Sequence, residues 1–120
     1  GYDPVAVNFR DDGELWVVNH VSDSVSIIDV ANRRIRRTLL TEDEPADVVF
    51  ANGRAFVSAS QVNRVLVYTL TALDQPPQRV EILGEDPRAL AVSPDGRTVY
   101  AAVYESGNAT TILAGGRRDT

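Results

Sequence analysis

Three acidic residues stand immediately before three prolines: Asp3-Pro4, Glu44-Pro45 and Asp86-Pro87, with Asp43 and Glu85 one position earlier. The prolines are 41 and 42 residues apart. A fold repeating at that period would gather these carboxylates at one end, where they would focus negative potential and attract a cation. Oxygen-only ligation at this spacing is not a metal motif. The plainer role, which we favour, is at the opening of a turn, with each acid bonded to nearby backbone amides.

Asp47 and Arg88 form a second candidate, because they fall near the start of matching segments in adjacent repeats. A carboxylate and a guanidinium facing a common cleft could hold a polar ligand. Mutual pairing, or solvation, is the simpler expectation. His20 is the only histidine. It could ligate haem or a metal, yet catalysis normally requires an orienting partner, and Asp23 is the nearest acid in sequence. A solvated loop residue is expected there. The basic run from Asn32 through Arg37 would shield an exposed sheet edge from unwanted pairing, which is favoured over anion binding. Asn108-Ala109-Thr110 fits the glycosylation acceptor pattern, a triplet common by chance. No Ser-His-Asp array, phosphate loop or metal-ligand spacing is present. No cofactor is expected.

The elements that would position these residues repeat with them. Pro4–Val17 reads PVAVNFRDDGELWV, Pro45–Val57 reads PADVVFANGRAFV, and Pro87–Tyr100 reads PRALAVSPDGRTVY. Each is strand, tight turn, strand. Asp-Gly or Asn-Gly between apolar runs is a strong hairpin signal, since Gly supplies the positive φ that a reversal needs. Gly13, Gly53 and Gly96 are therefore expected to share one turn geometry. Third strands follow at Ser24–Val30, Arg64–Leu70 and Thr110–Ala114, and fourth strands at Arg34–Leu40 and Gln78–Leu83. No segment shows helical periodicity.

The first strand of each repeat is apolar almost throughout, which implies burial on both faces. A sheet sandwiched between neighbouring sheets meets that demand, and β-propeller blades pack in this way. A solenoid competes, but its coils usually run shorter with fewer strands. The expected fold is all-β: a β-propeller segment of about three consecutive four-stranded antiparallel blades, part of a larger propeller. The blades would span approximately residues 4–44, 45–86 and 87–120, the last one incomplete. Trp16 and Tyr100, at matched second-strand positions, are expected in the core between blades. In such an array the acids before the prolines would ring the channel mouth.

Composition narrows the partners. Net charge is −5, and all twelve basic residues are Arg. An acidic chain is a poor general partner for nucleic acid, which needs a basic face. No apolar run approaches the roughly 20 residues of a membrane helix, so no membrane insertion is expected. Cysteine is absent, which removes disulfides, thiolate metal sites and Cys nucleophiles. Methionine is absent too, so the sequence is expected to be processed or a piece of a longer protein.

Leu15-Trp16-Val17-Val18-Asn19, followed by Asp23-Ser24-Val25-Ser26-Ile27-Ile28-Asp29, resembles the YVTN-type β-propeller repeat. Ala91-Val92-Ser93-Pro94-Asp95-Gly96 is similar to that family's opening strand and turn. Trp16 and Phe56 replace its usual Tyr, Ala59 and Ala102 replace the Asn seen at Asn19, and Asp47 stands where a small residue is usual. The resemblance implies an extracytoplasmic location, in the periplasm, at the cell surface or secreted. Relatives sharing this pattern include surface-layer proteins, lactonases and haem- or quinone-dependent enzymes. The expected role is a non-catalytic binding or scaffold module. Its channel mouth, with Asp3, Glu44, Asp47, Asp86 and Arg88, would hold a protein or small polar ligand, and its open faces would meet further blades or another copy. The rival expectation is a segment of a propeller enzyme with its chemistry elsewhere.

Overall fold

The computed structural model describes residues 4–41, 44–82 and 87–103, and the backbone of 110–114. Its strands are β1 (Pro4–Asp11), β2 (Glu14–Asn19), β3 (Ser24–Asp29) and β4 (Arg34–Leu40), then β5 (Pro45–Ala51), β6 (Arg54–Ala59), β7 (Arg64–Thr69) and β8 (Gln78–Glu81). β9 (Leu90–Val92), β10 (Thr98–Ala102) and β11 (Thr110–Ala114) complete the series. They form three antiparallel meanders, β1-β2-β3-β4, β5-β6-β7-β8 and β9-β10-β11. The fold is therefore all-β, as the alternation implies. One turn of 3-10 helix, Ser60–Val62, interrupts it where no helix was expected.

The three sheets stack face to face. Contacts between sheets are made chiefly by their first strands, with β1 beside β5 and β5 beside β9. The first strands thus converge while β4 and β8 lie at the far edges, as blades fan out from an axis. The middle sheet shows the alternation most clearly. Val48, Ala55, Val57, Leu66 and Tyr68 face the first sheet, against Trp16, Val18, Val25, Ile27 and Leu39. Val49, Phe56, Val65, Val67 and Val80 face the third, against Leu90, Val99 and Ala101. Successive side chains of one strand thereby enter two different cores, which is why β5, β6 and β7 carry unbroken apolar runs at Val48–Ala51, Ala55–Val57 and Val65–Tyr68.

Burial of the first strand on both faces holds for β5 but not for β1. Val5, Val7 and Phe9 are exposed, because among the described residues no sheet covers the outer side of the first blade. Tyr100 departs from expectation for the same reason. Trp16 is fully buried, whereas Tyr100 lies on the face of β10 opposite Val99 and Ala101, turned away from the second sheet.

The three turn glycines hold equivalent places without sharing one geometry. Asn52 and Gly53 both have positive φ, 49° and 73°, the signature of a type I′ turn. Gly96 (φ 74°) follows the Pro94-Asp95 corner, with its N–H donating to the Ser93 carbonyl at 2.9 Å. Gly13 is outside the left-handed region. Its N–H donates instead to Asp11 Oδ1 at 2.9 Å, so a side chain closes this turn.

Candidate functional site

The starts of the first strands border an open cavity of about 460 Å³ lined by Val5, Ala6, His20, Ala46, Asp47, Arg88 and Ala89. Repeat register explains the gathering. Val5 and Ala6 open β1, Ala46 and Asp47 open β5, and Arg88 and Ala89 lead into β9, so three sheets contribute the same end of the same strand. The small side chains at positions 6, 46 and 89 leave the space, and His20, Asp47 and Arg88 give it polarity.

Asp47 is held rigidly. Its Oδ1 accepts from the Val48 N–H at 2.9 Å, and its Oδ2 accepts from the Leu90 N–H at 2.9 Å in the third sheet. The carboxylate therefore staples two sheets together through backbone amides, a partner set different from the expected pairing with Arg88. The Arg88 backbone is fixed as well. Its carbonyl accepts from Ser58 Oγ at 2.7 Å, which leaves the guanidinium carried on an anchored segment at the cavity wall.

His20 is not the solvated loop residue expected from sequence. It follows β2 and is largely buried, with Nδ1 2.9 Å from the Pro45 carbonyl. A carbonyl only accepts, so Nδ1 is the protonated nitrogen. Nε2 lies 3.4 Å from Glu44 Oε1. Glu44 in turn is tied down from several sides. Its N–H donates to Asp23 Oδ1 (2.8 Å), its carbonyl accepts from Ser60 Oγ (2.9 Å), and Oε1 accepts from Gln61 Nε2 (2.9 Å). Glu44 also has φ +53°, a conformation unusual for a non-glycine residue that this network holds in place. The carboxylate meets side chains carried by the first and second sheets, a different partner set from the nearby backbone amides expected. Asp3, Asp86, Asp43 and Glu85 lie outside the described residues. Among the described residues no three acidic or imidazole side chains gather as a metal set.

Sequence reading passed over a second polar cluster, at the other end of the first blade. Glu14 is buried, and its carboxylate accepts from Trp16 Nε1 (2.9 Å), Arg10 Nη1 (3.1 Å) and Arg36 Nη1 (2.8 Å). Arg36 also meets Asp29 at 3.4 Å, so part of the basic run satisfies a buried acid in addition to guarding an edge. Asn8 was missed too, and its Nδ2 donates to the Val48 carbonyl at 2.8 Å, joining the first two sheets. Its only sequence signal is a polar residue inside an apolar first strand.

Over residues 4–118 the chain matches the family described as Domain of unknown function (DUF7165), and it belongs to that family. No curated protein matches its sequence. Among solved structures it is similar to Kuenenia stuttgartiensis hydrazine synthase, with 22% identity and a TM-score of 0.85 over 97% of this chain and 34% of that one. A catalytically inactive virginiamycin B lyase from Staphylococcus aureus, solved with quinupristin, superposes at 12% identity and a TM-score of 0.68, over 93% and 41% of the two chains. A dihydro-haem d1 dehydrogenase superposes at 24% identity and a TM-score of 0.70, over 93% of this chain and 24% of that one. The structural neighbours are β-propeller proteins, and the three meanders are consistent with part of such a propeller. The chain spans well under half the length of each of these three.

Proposed function

We propose that this segment is a non-catalytic binding module whose cavity at the mouth of the first strands receives a small polar ligand. The observation that carries the reading is the convergence of His20, Asp47 and Arg88, drawn from three repeats, on one cavity of about 460 Å³. The walls are held by bonds between sheets and change little on binding, which limits the ordering cost of association. Arg88 places a planar guanidinium at the wall of that cavity, a group suited to a carboxylate or another oxyanion. The YVTN-type likeness of the β2–β3 segment supports an extracytoplasmic setting, and a protein partner at the same face is compatible with it.

The test is a ¹H–¹⁵N titration of the chain with citrate, glutamate and glucose as probes. Shifts confined to the amides of His20, Ala46, Asp47 and Ala89, and abolished by Arg88→Ala, support the reading. Probes that leave those amides unmoved refute it for small polar ligands. A second reading, part of a propeller enzyme, is favoured by the enzymes among the structural neighbours. Fold likeness alone does not transfer chemistry. A bound chromophore or metal in the purified protein, seen by absorbance and metal analysis, would favour it.

A further inference from the structure

We propose that β4 is a docking edge for an extended acidic segment of a partner protein, which adds to the first sheet as a further strand. Four of the five residues from Arg33 to Arg37 are arginine, in a chain whose net charge is −5. Register decides where those side chains lie. Asp29 pairs with both Glu14 and Arg34, Ile27 with Trp16 and Arg37, and Val25 with Val18 and Leu39. Side chains paired directly across a sheet share a face. Trp16, Val18, Val25, Ile27 and Leu39 lie on the side of the second sheet, so Arg34 and Arg37 do as well. Arg36 is the extra residue of a bulge, between the partners of Ile27 and Ile28. Its guanidinium reaches Glu14 (2.8 Å) and Asp29 (3.4 Å) on that same face. Without the extra residue Arg37 would fall on the opposite face, with Ile35. The bulge thus gathers three guanidinium groups on one side of one strand. A cleft of about 240 Å³ opens beside them, lined by Asp29, Arg34, Ile35 and Arg36.

Glu14 and Asp29 answer the charges of Arg10 and Arg36. Arg33, Arg34 and Arg37 are exposed and form no ion pair with a described residue. No strand pairs along the outer side of β4 among the described residues, where the Tyr68 hydroxyl donates to the Leu40 carbonyl at 3.3 Å. Neighbouring sheets cover faces and not outer edges. The second sheet packs on the first without pairing with β4, and the third packs on the second without pairing with β8. A further blade would leave these edges open in the same way. β8 holds the equivalent edge but carries both signs, Arg79 and Glu81, and Glu81 accepts from Arg64 Nε at 2.7 Å.

The single sign on β4 selects the occupant. A second copy of β4 would set arginine against arginine and is repelled. An extended acidic segment meets both demands, since its backbone pairs with the edge while carboxylates at alternate positions fall beside Arg34, Arg36 and Arg37. The bulge keeps the paired length short, which leaves specificity to charge. A nucleic acid would answer the charge and leave the backbone edge unpaired.

A ¹H–¹⁵N titration of the 120-residue chain with an acetylated, amidated peptide of alternating Glu and Thr tests this. Shifts are expected at the amides of Arg34–Thr38 and not at the cavity amides of His20 and Asp47, so this proposal and the cavity reading stand or fall separately. A Lys-Thr peptide of the same length should leave the β4 amides unmoved. Combining Arg34→Gln with Arg37→Gln removes two exposed charges and should leave far-UV circular dichroism unchanged. It should weaken the Glu-Thr peptide about tenfold, as the loss of two exposed ion pairs implies. Methylating alternate backbone nitrogens of the peptide removes donors, keeps the charge and needs no variant of the protein; binding should be lost. A methylated peptide that binds at full strength overturns strand addition, and oligothymidylate that binds as tightly as the peptide overturns a polypeptide partner. No shift on β4 at millimolar peptide overturns the proposal outright.

Discussion

The indole of Trp16 meets the ring of Phe50 edge-on, with centroids 5.2 Å apart and planes at 82°. This contact crosses from the first sheet to the second, and Trp16 Nε1 simultaneously donates to buried Glu14. One residue thus supplies apolar area, an edge-to-face contact and the partner of a buried acid. Trp16→Ala should lower stability by about 3–5 kcal/mol, a large share of a typical total of about 5–15 kcal/mol. Trp16→Phe keeps most of the area but removes a Glu14 donor, and should cost about 1–3 kcal/mol. Urea denaturation of the two variants gives both numbers, and equal losses would discount the Glu14 bond.

The turn glycines should separate sharply on substitution. Gly53 has φ +73° with open space where a Cβ would stand, so Gly53→Ala meets backbone strain and no clash. A loss of about 1 kcal/mol is expected. Gly13 lies outside the left-handed region, and a Cβ there would sit 3.7 Å from Asp11 Oδ1, an ordinary contact. Gly13→Ala should be neutral or stabilising by up to about 1 kcal/mol, through a less flexible unfolded chain. Thermal denaturation of both single variants decides it, and equal destabilisation would contradict the two turn geometries.

These two cases mark what the sequence discloses. The hairpins, their order and the three-fold repetition follow from Gly and Asp-Gly or Asn-Gly punctuation between apolar runs, because turn chemistry is local. Turn geometry was less legible: Asp11 closes the first turn with a side chain, and nothing in Asp-Asp-Gly distinguishes that from a reversal led by glycine. Tyr100 and Trp16 look alike in sequence, yet among the described residues only Trp16 has a sheet in front of it. The cavity was half legible. Register brought Asp47 and Arg88 to one end, whereas the partners of Asp47 depend on the stagger between neighbouring sheets, which no local pattern encodes. Glu14 was hidden for a related reason, since Arg36 reaches it from 22 residues away across two strands.

Acid should loosen the third hairpin through Asp95. Its carboxyl is held below the ordinary value of 3.8, first by the hydrogen bond from Ser93 Oγ and then by the Arg97 N–H. The folded form binds its proton more weakly than the unfolded one. The stabilisation is therefore complete above the ordinary carboxylate range and is lost as pH falls through the lower folded value. Ser93→Ala should raise the Asp95 midpoint toward 3.8, as read by NMR titration of its side-chain carboxyl. An unchanged midpoint would discount the hydroxyl as the main cause.

Asp47 both joins the second sheet to the third and lines the cavity. Its two oxygens hold the Val48 and Leu90 amides, and the second bond spans 43 residues of sequence. Asp47→Ala strands the N–H of buried Leu90, so a loss of about 1–3 kcal/mol is expected. Asp47→Asn retains one acceptor oxygen and cannot serve both amides as an acceptor. It should therefore fall between wild type and Asp47→Ala. Hydrogen exchange at the Leu90 amide reports the local effect apart from global stability. In Asp47→Ala that amide should exchange faster, while the Val25 amide on β3 of the first sheet slows or quickens only with the whole molecule. If Leu90 and Val25 changed by the same factor, Asp47 would be acting through overall stability, and its part as a staple between sheets would fall.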